Sequence, residues 1–282
     1  MSPVALITGT SSGIGLASAI DAAKHGFTTV ATMRDLSKDG ALRAAAADAG
    51  VELDIRRLDV VDDASIVACL DGVVATHGSL DVLVNNAGRG FVGTIEQVTM
   101  DEMRDVMEVN FFGVVAVTKA ALPHLRASKG RVVTVTSVGG VVGQPFNEAY
   151  CAAKFAVEGF MESLAPVAAS VGVQVSVIEP GPVATEFVNN VGVDVARIFA
   201  EAGEYEPAMQ AYMRHIMAEF ADPDAAQTAH DVAEVVLTAM VTDSPAFRHQ
   251  TSHWSRTFTG YKLSDHDGSA VVGMTTDWLR PG

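Results

Sequence analysis

Basic residues are scarce in this chain. Its 282 residues hold 19 Lys and Arg against 34 Asp and Glu, a net charge of −15. A surface so negative repels phosphate backbones and anionic lipid faces, which argues against nucleic acid and membrane surfaces as partners. Cysteine is scarcer: Cys69 and Cys151 lie far apart, with no paired framework. That suits a reducing compartment and leads us to expect a cytoplasmic protein. No basic stretch precedes an apolar one at the start, and no apolar run reaches about 20 residues, so neither a signal peptide nor a membrane span is expected. Repeats and low-complexity tracts are missing too. His249 and His253 stand at helical spacing, and His266 sits between Asp265 and Asp267, but no third ligand falls in register and no metal site is expected.

What the chain does have is apolar material, 49% of its residues, arranged as alternating short strands and amphipathic helices. Six strand–helix alternations predict a doubly wound parallel α/β sheet, a Rossmann-type domain spanning 1–282. Within it, 186–222 reads as a helical lid over an apolar substrate pocket, and 244–282 as a C-terminal tail.

The first strand, VALIT, runs into TGTSSGIG and then a helix. A glycine-rich turn between strand and helix lets backbone amides approach a phosphate at the helix N-terminus. Gly9, Gly13 and Gly15 give the spacing G-x-x-x-G-x-G. The second strand ends at Met33-Arg34, where an acid would select NAD and an arginine accommodates the 2′-phosphate of NADP. Arg34, with Ser11 or Ser12 as a second donor, therefore points to NADP(H) over NAD(H); the other reading pairs Arg34 with Asp35 or Asp39. Asp59, ending the third strand, either bonds an adenine amino group or caps the next helix. Asn85 and Asn86 suit a turn and can tie neighbouring strands together. Asn110 lies inside an apolar helical stripe, as a satisfied core amide or as a site residue that bends the helix near Lys154.

Tyr150 and Lys154 are four residues apart in a helical segment, hence stacked one turn apart. An ammonium near a phenol favours the phenolate, so Lys154 is expected to lower the Tyr150 pKa and fit it for proton exchange with an alcohol or carbonyl. Ser137, after the strand-like RVVTVTS, can hold the same oxygen. Pro180-Gly181-Pro182 breaks the sixth strand, and Thr185 follows as a cap or a cofactor contact.

Taken together, TGTSSGIG, NNAG at 85–88, Asn110 in EVNFFG, Ser137, Tyr150-x-x-x-Lys154 and Pro180-Gly181 resemble the short-chain dehydrogenase/reductase family in type, order and spacing. The resemblance covers roughly 3–245. SVGGVVGQPFNEAYCAAKFAVEGFMESLA and ATMRDL look like its estradiol 17β-dehydrogenase type 1 and photoreceptor retinol dehydrogenase branch. It implies an NADP(H)-dependent oxidoreductase of lipophilic alcohols and ketones, steroid-like or retinoid-like. Ser137, Tyr150, Lys154 and Asn110 would be its catalytic set. Gly9, Ser11, Ser12, Gly13, Ile14, Gly15, Arg34, Asp59, Val60, Asn86, Ala87, Gly88, Tyr150, Lys154, Pro180, Gly181, Val183 and Thr185 would bind the cofactor. His215 would meet the far end of the substrate. A homodimer or homotetramer is implied by the same analogy. The alternative is a dinucleotide-binding sensor that has lost turnover, which the intact Ser137, Tyr150 and Lys154 disfavour; a nucleotide-sugar epimerase or dehydratase is disfavoured by the glycine spacing.

Overall fold

The computed structural model describes residues 2–183 and 195–264, together with Asp277. Seven strands form one sheet: β1 Val4–Thr8, β2 Thr28–Met33, β3 Asp54–Arg57, β4 Val82–Asn85, β5 Arg131–Val135, β6 Gln174–Glu179 and β7 Arg248–Gln250. Their order is β3-β2-β1-β4-β5-β6-β7, every pair parallel. The order reverses between β1 and β4, and ligands of such sheets bind beyond the strands' carboxyl ends at that switch.

Strand pleating explains the double winding. Val4 and Leu6 of β1 enter one apolar layer, with Leu70, Val117, Leu125, Val157 and Met161. Ala5 and Ile7 enter the other, with Ala19, Ile20, Leu42 and Val236. Successive side chains face opposite ways, so a strand apolar at every position must be covered on both sides. One cover is α3 Asp63–His77, α5 Gly113–Ser128 and α6 Glu148–Ala169; the other is α1 Gly13–Lys24, α2 Gly40–Ala49 and α9 Ala229–Val241. Three more helices, α7 Val195–Glu201, α8 Glu206–Ala221 and α10 His253–Leu263, lie among 195–264.

One expectation needs correcting. The sheet has a seventh strand, because Arg-His-Gln pairs with β6 through its backbone while its polar side chains give no strand pattern. His249 lies on that strand, its Nε2 2.9 Å from the Ala246 carbonyl, and His253 opens α10. After Arg34, Ser37 sits in a short turn and donates to Asp35 from both its backbone N–H and its hydroxyl, and α2 starts at Gly40. Among the described residues, one helix is long and apolar enough to cross a membrane: α4 Met100–Met107 continues through a five-residue π-turn, Glu108–Phe112, into α5. Length and apolar content do not distinguish a span from a core helix. Here Val114, Val117, Ala121 and Leu125 are spent on the sheet.

Candidate active site

The glycine turn is a steric construction. Gly9 takes φ +72°, and a Cβ there would stand 2.8 Å from the Ala87 Cα. A Cβ on Gly15 would stand 2.3 Å from the Gly9 carbonyl oxygen and 2.4 Å from Asn86 Nδ2. Only glycine lets these backbones meet. Asn86 ties the end of β4 onto the turn, its Nδ2 donating to the Thr8 carbonyl at 2.9 Å and the Gly9 carbonyl at 3.1 Å. The N–H groups of Asn86 and Ala87 both donate to the Thr8 hydroxyl at 3.0 Å. Gly13, at φ +58°, opens α1. The Ser12 side chain makes no capping bond and no acid occupies the first turn, so the positive end of α1, with Ile14 in its first turn, faces the crevice uncompensated. This turn fits a dinucleotide's phosphates.

Around it stand the other predicted cofactor residues. Arg34 is exposed just past β2. The two carboxylates that compete for it have other partners as well: Asp35 accepts from Ser37 while still feeling the Arg34 charge, and Asp39 pairs with Arg43 at 2.7 Å. Asp59 does not cap α3. Asp62 does, accepting the Ser65 N–H, while Asp59 turns back onto the Val61 N–H. Val60 packs on Gly113, where a Cβ would come within 2.8 Å of it. Beyond β6, the Pro180 carbonyl accepts the Val138 N–H, Gly181 is wedged against Trp254 and Ser255, and Val183 bridges to Gln227. Thr185 lies outside the described residues.

The predicted reacting residues come together at the carboxyl end of β5 and the start of α6. Ser137 follows β5 in extended backbone; its hydroxyl accepts the Gly139 N–H at 2.9 Å and hydrogen-bonds the Tyr150 phenol. Lys154 is buried one turn below, its Nζ 5.8 Å from the Tyr150 ring centre and donating to the Val135 carbonyl at 3.0 Å. The electrostatics differ from expectation. Burial pushes the Tyr150 phenol up to about 12, opposed by the Ser137 bond, and burial pushes the Lys154 ammonium down to about 8, opposed by Glu158. Within the protein alone desolvation decides the Tyr150 phenol, which is raised and not lowered, while the Lys154 ammonium donates to a backbone carbonyl.

Asn110 is fully buried in the π-turn and forms a two-way pair with Arg89: its Oδ1 accepts the Arg89 N–H and its Nδ2 donates to the Arg89 carbonyl, each at 2.8 Å. The first open reading of Asn110 holds. It is a satisfied core amide, and it sits where the helix deforms: a Cβ on Gly88 would lie 2.9 Å from its Oδ1 and 3.8 Å from Lys154 Nζ. Asn85 links strands as expected, its Nδ2 donating to the hydroxyls of Thr118 and Thr134.

On the far side, α8 packs Met209 and Tyr212 on Phe146, with Val92, Ile198, Phe199, Met213 and Ile216 around them. Asn147, which opens α6 just before Tyr150, donates to the Tyr212 hydroxyl at 2.8 Å. His215 is half-buried on α8, its Nε2 3.2 Å from Glu219 Oε1. Desolvation lowers the imidazole and raises the Glu219 carboxyl to about 7, so both neutral forms are favoured. Sequence reasoning passed over Glu158, Glu179 and Arg248, a buried charge cluster behind Lys154. The only signal was an acid in an otherwise apolar stretch of helix, FAVEGF.

Comparison with known proteins places this geometry. The short chain dehydrogenase family profile matches residues 3–196. Human retinol dehydrogenase 8 is 39% identical over 96% of this chain and 88% of its own length. Human 17-beta-hydroxysteroid dehydrogenase type 1 is 40% identical over 95% of this chain and 83% of its own. Among solved structures, a single-substitution variant of actinorhodin polyketide ketoreductase with NADPH superposes with a TM-score of 0.76 at 32% identity, over 89% of this chain and 96% of that one.

Proposed function

Because the chain belongs to the short-chain dehydrogenase family, and is thus an oxidoreductase related to retinol and steroid dehydrogenases, we propose that it interconverts a large apolar alcohol and its ketone or aldehyde with NADP(H), Tyr150 exchanging the proton. The observation that carries this reading is the hydrogen-bonded Ser137–Tyr150 pair at the carboxyl end of the sheet, with Lys154 one turn below.

A nicotinamide dinucleotide, when bound, supplies or takes the hydride. The chain's own groups do the rest. The uncapped amides at the start of α1, with Ser11 and Ser12, hold the phosphates, and Arg34, exposed and with Asp35 and Asp39 hydrogen-bonded to other partners, holds a 2′-phosphate. The Ser137 and Tyr150 hydroxyls, already bonded to each other, converge on one substrate oxygen. With its phenol pushed up to about 12, Tyr150 is a protonated donor at neutral pH, the state that carbonyl reduction needs. Alcohol oxidation asks for the phenolate and thus for added positive charge beside Tyr150. The similarity to retinol and hydroxysteroid dehydrogenases and the apolar contacts of α8 support a lipophilic substrate, with His215 meeting its distal polar group.

Tyr150→Phe is the test. Turnover should fall by about 10²–10⁴-fold while NADPH binding stays near normal. A wild-type protein that binds NADPH yet reduces nothing in a broad panel of steroid, retinoid and small aromatic ketones would favour a cofactor sensor instead. Faster turnover with NADH than NADPH would remove the role given to Arg34.

A further inference from the structure

Behind Lys154 the fold buries two carboxylates against a half-buried guanidinium, and no step above uses them. Glu158, one turn further along α6, and Glu179, at the end of β6, are 4% and 0% exposed. Arg248 of β7 bonds Glu158 through Nη1, Glu179 through the same nitrogen at 2.7 Å, and the exposed Glu162 through Nη2 at 2.9 Å. Gln250 donates to the second oxygen of Glu179 at 2.7 Å. On the other side of Glu158 stands Thr136, whose hydroxyl is 2.5 Å from Glu158 Oε1 and 2.9 Å from the Ile178 carbonyl. Thr136 is the single residue between Val135, which holds the Lys154 ammonium, and Ser137.

We propose that Glu158 is a positioning residue for this site: through its charge it decides whether Lys154 keeps its own, and through Thr136 it is joined to the strand end that carries both the Lys154 acceptor and Ser137. This inference rests on the reading of Tyr150 and Lys154 given above. The groups around Glu158 are Lys154, one turn before it, whose ammonium its charge favours, and, through Arg248, Glu162 on its own helix; Thr136 beyond β5; Glu179 on β6; and Arg248 on β7. Lys154 faces Tyr150 and Glu158 on its helix, the Val135 carbonyl on β5, and the neutral Asn110 of the π-turn across Gly88. One guanidinium is therefore set against two buried carboxylates, and Lys154 is the nearby cation that the excess charge can hold. Thr136 has one proton to give and two acceptors in reach, so it satisfies both only when Glu158 carries a proton of its own. The carboxyl is thus built to exist in either state, and burial does push it up to about 7. Ionised, it keeps Lys154 charged; protonated, it releases that hold.

The experiment is an NMR titration of lysine-labelled protein, with Lys154 assigned by Lys154→Arg, in the wild type, Glu158→Gln, Thr136→Val and Glu179→Gln. Glu158→Gln keeps the shape and should lower the Lys154 midpoint by about one pH unit or more, with the alkaline limb of kcat falling in step. Thr136→Val, which removes a bond favouring ionised Glu158, should shift it the same way by less, and serves if the first variant fails to fold. Glu179→Gln lets Glu158 ionise more readily and should not lower the midpoint. An unmoved midpoint in Glu158→Gln, or an equal fall in Glu179→Gln, overturns the inference. A Lys154 midpoint that moves as described while Tyr150→Phe retains full turnover upholds the inference and removes the role given to Tyr150.

Discussion

The two walls of the crevice are built on different principles. The dinucleotide wall, where β1 and β4 end, is fixed by backbone against backbone, Gly9 on Ala87 and Gly15 on the Gly9 carbonyl, with the Asn86 side chain tying the Thr8 and Gly9 carbonyls. The wall formed by α7 and α8 is attached through side chains. Tyr212 reaches Asn147, Gln97 reaches the Ile198 carbonyl, Tyr205 reaches Glu96, and a small apolar cluster centres on Phe146. The first wall can accept only one shape. The second can exchange residues and keep its fold, which is how one scaffold accommodates many substrates.

The contrast predicts graded responses. The largest should come from Gly15→Ala. Its methyl has nowhere to go against a carbonyl 2.3 Å away, so dinucleotide affinity should fall by about 100-fold or more and stability by about 1–3 kcal/mol, read by isothermal titration and denaturant unfolding. If the variant binds NADPH normally, the rigid wall is less rigid than described. Next is Asn110→Leu, which takes the Asn110 partner from the half-buried N–H and carbonyl of Arg89 at the junction of the two walls. It should cost about 2 kcal/mol or more in urea unfolding, with lowered kcat. On the side-chain wall, Tyr212→Phe should cost about 1 kcal/mol at most. It should change KM for apolar ketones several-fold while leaving the NADPH Kd alone. An equal effect on both constants would mean that the walls are coupled.

Stability should also depend on pH in a definite sense. Burial raises Glu158 and Glu219 from 4.5 to about 7, so unfolding releases protons between those values. Their contribution therefore falls as pH rises from 4.5 to about 7 and then levels off. Lys154 is lowered from 10.5 to about 8, so unfolding takes up a proton above pH 8 and stability recovers until about pH 9, where the buried thiols of Cys69 and Cys151, raised from 9.0 to about 11, release protons on unfolding and reverse it. A trough between about pH 7 and 8 is expected in urea midpoints, and the descent into it should be shallower in Glu158→Gln.

The same contrast explains what could be read from the sequence. Glycines forced by close backbone approach, and a serine, tyrosine and lysine in fixed order, leave local marks, so the turn, β1 to β6 and the Ser137–Tyr150–Lys154 grouping were legible. Asn110 was legible as an anomaly, a polar residue in an apolar stripe. The Glu158–Arg248–Glu179 cluster was not, because its members stand on three elements and each resembles an ordinary surface charge. β7 went unseen for the same reason: it is a strand only because β6 offers it an edge. The acidity of Tyr150 was misjudged because spacing reveals a neighbour but not the desolvation that outweighs it.

The π-turn at Glu108–Phe112 has a consequence for how this helix can be changed. A helix advances by roughly 100° per residue, and a π-turn accommodates one residue more than the regular winding requires. Before it, Met103, Val106 and Met107 face Ala149 and Ala153 of the Tyr150 helix; after it, Val114, Val117 and Ala121 face the sheet. The turn works as a phase slip between two gears. Deleting one residue there would straighten the rod and strengthen it locally, yet leave the two ends out of step by about that angle, with either the sheet or the Tyr150 helix losing its mating face. The irregularity is what allows a single helix to keep time with two partners.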